Sequence, residues 1–133
     1  MKINVDVDTN RLVDAVTWQT VPTPSVVALT TIPFEIAFMS RREYLDYSGM
    51  TVSVAIGTPL NVFCTNAMSS PDGEHDAWVG TLNTAVDNVG IAFGGRLNIP
   101  VNAYLDILVK NGSTMVARCV TPIRIISPVE FDR

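Results

Sequence analysis

An all-β chain, folded as an antiparallel β-sandwich of about eight short strands, is what this sequence predicts. Three observations carry that expectation. Apolar residues recur with a period of two nearly throughout, as in Phe34, Ile36 and Phe38 or Val52, Val54 and Ile56. Turn-forming residues, such as Pro22-Thr23-Pro24, Gly57-Thr58-Pro59 and Gly94-Gly95, break the chain between these runs. No long stretch carries the 3.6-residue apolar period of an amphipathic helix.

Taken in order, Ile3, Val5 and Val7 alternate with Asn4, Asp6 and Asp8, the pattern of an edge-like first strand. Residues 10–18 (NRLVDAVTW) read equally as a helical turn or an irregular strand. Pro22 and Pro24 forbid regular ladder pairing and mark a bend or crossover. A short buried-type run follows over 25–30, then Phe34, Ile36 and Phe38. Residues 40–49 (SRREYLDYSG) read as a polar connection, followed by a strand carrying Val52, Val54 and Ile56. Gly57-Thr58-Pro59 turns the chain into a strand over 60–65, and 66–76 (NAMSSPDGEHD) reads as a loop. Another strand covers 77–82; LNTAVDNVG could add one helical turn capped by Asn83 or Thr84, and Gly94-Gly95 breaks the chain again. Such short, evenly spaced strands suit a jelly-roll or immunoglobulin-like sandwich.

The stretch VNAYLDILVKNGSTMVARCVTPIRII, residues 101–126, is a hairpin around Asn111-Gly112. Odd positions are apolar on both arms, so odd must face odd across the ladder. A two-residue loop would break that parity. A three-residue loop, Lys110-Asn111-Gly112, keeps it, pairing Val109 with Ser113, Ile107 with Met115, Leu105 with Ala117 and Ala103 with Cys119, with Gly112 left-handed. The even face then sets Tyr104 opposite Arg118, Asp106 opposite Val116, Leu108 opposite Thr114 and Asn102 opposite Val120. Arg118 is expected to lie over the Tyr104 ring and to reach Asp106 diagonally. Leu108, Val116 and Val120 sit on this face among polar neighbours. They read either as scattered exposed hydrophobes or as a surface covered by another chain.

With 133 residues and no linker or repeat, residues 1–133 read as a single domain large enough for a proper core. Only 17% of residues are charged, against roughly 25% in average globular proteins, which favours surfaces that partners can cover. A net charge of −4 argues against nucleic-acid binding, which depends on Lys and Arg meeting phosphate. Arg41-Arg42 is too small a basic cluster to hold an anionic membrane surface, and no window resembles a membrane helix. The opening MKINVDVD interrupts every apolar run with charge, unlike an export signal. Cys64 and Cys119 lack metal spacing and read as buried thiols rather than a disulfide.

Catalytic chemistry finds little support. The one His, His75, sits among Asp72, Glu74 and Asp76, adjacent loop residues that diverge instead of converging on a metal. There is no GxSxG-type nucleophile stretch and no phosphate-cradling loop. Asn111-Gly112-Ser113 matches a glycosylation acceptor but falls in a tight turn. The expectation is a protein that is not an enzyme and uses no metal or cofactor. Trp18, Trp78, Tyr44, Tyr47 and Tyr104 leave open a carbohydrate-binding or adhesion module, in which two exposed aromatics would line a shallow groove.

The succession KINVDVDTNRLV, IPFEIAF, SGMTVSVAIGTP and WVGTLNTAV, followed by the closing hairpin, resembles small structural proteins of tailed bacteriophages. Pro33 to Phe38 resembles their "PLEVQF" strand, and Thr81 to Thr84 (TLNT) their "LNLNT" element. Residues 28–32 (ALTTI) stand where such proteins often carry a charged "KRGD" turn. The resemblance implies a virion component made in the host cytoplasm: a tail-fibre, tail-tip or baseplate part, or a capsid-decoration protein. It implies partners among other virion proteins and copies of the same chain, trimeric where the part belongs to a fibre, and brings no catalytic residues. Tyr104, Leu108, Val116, Arg118 and Val120 are then the candidate protein interface, with the first strand a second candidate through strand addition.

Overall fold

A computed structural model describes residues 1–14, 16–27, 30–60, 62–69, 77–83 and 101–126. Among them ten strands form two five-stranded sheets that share one apolar core. The first sheet holds β1 (Lys2–Asp6), β2 (Arg11–Leu12), β4 (Thr31–Ser40), β5 (Glu43–Tyr44) and β8 (Trp78–Asn83). Its order is β2-β1-β4-β5, with β8 also paired to β4. The second sheet has the order β3-β10-β9-β6-β7. Its strands are β3 (Ser25–Val27), β6 (Thr51–Gly57), β7 (Val62–Ala67), β9 (Val101–Asn111) and β10 (Thr114–Ile126).

The all-β class agrees with the sequence pattern; a purely antiparallel sandwich does not. β1 runs parallel to β4, with Ile3 beside Ile36 and Val5 beside Phe38, and β3 runs parallel to β10. The proline-bearing segment accounts for the β1–β4 pair. It carries the chain from β2 in the first sheet to β3 in the second, and the chain then returns as β4, a crossover that a parallel pair requires. The first strand is therefore not a plain edge: β4 pairs along its whole length, and β2 covers its other side at Val5 and Asp6. Ten strands replace the expected eight because two two-residue strands, β2 and β5, fall in stretches read as ambiguous or as polar connection.

Alternation places the core. Ile3, Val5, Phe34, Ile36 and Phe38 from the first sheet meet Val52, Val54, Ile56, Leu105, Ile107 and Ile125 from the second, all at most 5% exposed. Each such side chain contributes about 1.5–3 kcal/mol relative to exposure. Around β4 the burial extends to the opposite face, where Ala37, Met39 and Val13 are also enclosed. Asp6 is buried there too; its carboxylate accepts the Asp8 N–H at 3.1 Å and the Thr9 hydroxyl at 2.6 Å, fixing the turn into β2.

The hairpin register differs from the expected one. Gly112 and Ser113 form a two-residue turn between Asn111 and Thr114, and a bulge at Val116 then restores parity, so Ala117 pairs with Val109. Gly112 is left-handed (φ +62°), as in a type II′ turn with glycine first. Every partner beyond the bulge slides by four residues: Leu105 faces Thr121 instead of Ala117, and Ala103 faces Ile123 instead of Cys119. The slide lays Ile123 and Ile125 over the start of β9, at 1% and 0% exposure, and releases Met115 to 58%. Two isoleucines buried for one methionine exposed decide the register.

Candidate assembly surface

The second sheet turns its other face to solvent, with β9 at its centre. The odd residues of β9 point inward, so Asn102, Tyr104, Asp106, Leu108 and Lys110 face out. β6 carries Val52, Val54 and Ile56 inward, which puts Ser53, Ala55 and Gly57 outward beside Leu108, Asp106 and Tyr104. From β10 come Arg118, Val120, Pro122 and Arg124, opposite Leu108, Asp106, Tyr104 and Asn102.

All five residues expected at an interface occupy this face. Tyr104 is 45% exposed, Val116 42% and Val120 48%; Leu108 is half-buried. Arg118 does not lie opposite Tyr104, because the four-residue slide sets it against Leu108. The diagonal contact with Asp106 does form, and it is bidentate. Arg118 Nε donates to Asp106 Oδ1 at 3.1 Å and Nη2 to Oδ2 at 2.7 Å. Asp106 accordingly raises the Arg118 pKa above its ordinary value, chiefly through those hydrogen bonds. An exposed pair of this kind contributes about 0.2–1 kcal/mol. Its larger effect is to hold two charges together in the middle of the face.

Two shallow depressions flank Tyr104. One, about 240 Å³, lies between β6, β7 and β10; Ala55, Gly57, Val62 and Val120 make its apolar lining, and Asp106 and Arg118 its polar side. The other, about 360 Å³, lies towards Asn102, Pro122 and Arg124. Since Tyr104 lines both, its ring stands as the ridge between them. Val62, 57% exposed, and the small β6 residues were missed by sequence reasoning. The usable signal was Ala55 and Gly57 in the outward phase of a clean strand, where a side chain would ordinarily stand.

The aromatic residues distribute differently from a sugar platform. Trp78 is 3% exposed and belongs to the core. Trp18 is half-buried, with the Arg42 guanidinium 5.9 Å from its ring centre. Tyr47 packs on Phe38 at 5.2 Å, and burial followed by the Asp8 charge pushes its phenol pKa up. Of the five aromatics that could line a sugar groove, Trp78 is buried, Trp18, Tyr44 and Tyr47 are half-buried, and Tyr104 is exposed.

Cys64 and Cys119 are buried and are not joined by a disulfide, as expected. Cys119 lies 3.2 Å from the Asn10 carbonyl, and burial, with a smaller push from Asp106, raises its pKa to about 11. No three His, Cys, Asp or Glu side chains among the described residues gather to hold a metal ion. His75 and its acidic neighbours, the possible helical turn after Leu82 and Gly94-Gly95 lie outside the described residues. No helix among the described residues is long and apolar enough to cross a membrane.

No protein-family model matches the sequence, and no curated protein matches it. Among solved structures, the N-terminal domain of phage TP901-1 ORF48 aligns over 95% of this chain and 95% of its own, with 10% identity and a TM-score of 0.43. Agreement at that level is too low to transfer fold or function.

Proposed function

We propose that this protein is a non-enzymatic structural component of a tailed-bacteriophage virion, a part of a tail fibre or baseplate or a capsid-decoration protein, that assembles through the outer face of its second sheet. The observation that carries the assembly role is that face itself. Tyr104, Val116, Val120 and Val62 stay 42–57% exposed on a sheet whose central charges, Asp106 and Arg118, already neutralise each other. Apolar groups with a polar rim and little free charge at the centre are what a covered protein surface requires. The phage setting rests on the sequence resemblance from KINVDVD to the closing hairpin.

The test uses Leu108→Asp and Val116→Asp, both on the hairpin half of the face. Each adds a negative charge where apolar contact is proposed, so each variant keeps the parent's circular dichroism while its incorporation into particles falls at least tenfold. Normal incorporation of both variants would remove the assembly role.

A further inference from the structure

The outer face carries a projection and a matching recess side by side. Tyr104 projects because its two lateral neighbours are Gly57 and Pro122, neither of which can rise beside a phenol ring. The recess lies immediately next to it, about 240 Å³ and floored by Ala55 and Gly57. A surface bearing both parts fits a copy of itself turned about a two-fold axis, in which each contact is made twice.

Size and charge favour the same occupant. Five strands about 4.8 Å apart span roughly 24 Å, and strands of this length give a face on the order of 600–800 Å². A standard interface buries about 800 Å² per partner, so the whole face is at or just below that size. At the centre, the Asp106–Arg118 fork is internally paired at 2.7 and 3.1 Å, so an identical face brings no unpaired like charge against it. The remaining charges nearby, Lys110 and Arg124, stand towards opposite ends of the hairpin, where rim water can solvate them.

We propose that two copies of this chain pack outer face to outer face, each Tyr104 ring seated in the partner's recess against Ala55, Gly57, Val62 and Val120. This rests on the assembly reading above and names its partner. The Asp106 carboxylate and the Arg118 guanidinium at the recess edge supply the polar groups that a buried tyrosine hydroxyl needs.

Sedimentation velocity over a range of concentrations tests it on the full chain. The parent sediments at twice the chain mass at tens of micromolar. Tyr104→Ala removes the projection and Ala55→Leu fills the recess; each raises the dimer dissociation constant at least tenfold, and the double variant is little worse than either, because both break one contact. Circular dichroism checks that both variants fold, and Val16→Asp, on an exposed turn of the first sheet, dimerises like the parent. A monomeric or trimeric parent, or variants that dimerise normally, would overturn the pairing. Incorporation of the parent into particles is scored in parallel: a monomer that still enters particles overturns the pairing and leaves the assembly reading intact.

Discussion

Gly57 lies directly across the β6–β9 ladder from Tyr104, on the solvent side of the second sheet. The pair couples an absent side chain to the most conspicuous aromatic of that face, and so shapes it. A large residue at either position would be ordinary; one large and one absent make relief.

The tightest local prediction concerns Gly112. Its φ of +62° lies where L side chains are strained, and no atom lies within 4 Å of the point a Cβ would occupy, so backbone strain alone sets the effect. Gly112→Val is expected to lower stability by about 1–2 kcal/mol, read from urea midpoints. An unchanged midpoint would mean that the turn is not the one described.

A second turn carries strain that substitution can relieve. Arg41 and Arg42 form the two-residue loop between β4 and β5, and both are left-handed, at φ 52° and 66°. Asn-Gly is the pair that such a turn prefers. Replacing them together, Arg41→Asn with Arg42→Gly, should raise stability by about 1 kcal/mol: relief of roughly 1–2 kcal/mol per residue, less the more flexible unfolded glycine and the lost Arg42–Trp18 contact. Thermal melts of parent and double variant decide it; a drop in stability would assign the arginines a larger structural part than the geometry gives them.

Cys119 predicts a pH dependence. Its thiol titrates at about 11 in the folded chain, against an ordinary value of 9.0. The folded state therefore holds its proton more tightly, and the associated stability is complete below pH 9 and lost as pH rises from 9 towards 11. The loss is on the order of 2 kcal/mol after allowing for partial burial. Comparing urea midpoints at pH 8 and pH 10.5 for the parent and Cys119→Ala isolates it: the parent loses more stability than the variant over that interval. Equal losses would show that the thiol is not protected.

Much of the fold could be read from alternation, because a half-buried strand must place every second side chain inward. Ile3 and Val5, Phe34 to Phe38, Val52 to Ile56 and Leu105 to Val109 all went where their phase put them. Strand direction could not be read that way. A parallel and an antiparallel partner leave the same inward phase, so nothing in Ile3-Asn4-Val5 distinguishes β4 running alongside from β4 running against it. The hairpin shows a related limit: parity was readable, whereas a slide by four preserves parity and is decided by how much of Ile123 and Ile125 the partner strand can cover. The candidate face was found on β9 and β10 for this reason and missed on β6, whose Ala55 and Gly57 join it through a pairing more than forty residues away along the chain.

The most direct measurement is hydroxyl-radical footprinting with mass-spectrometric readout, comparing the free chain with the chain in assembled particles. Modification of Tyr104, Leu108 and Met115 should fall severalfold on assembly, while Val16 and Trp18 react as they do in the free protein. Protection confined to the first sheet, with Tyr104 and Leu108 as reactive as before, would contradict the account.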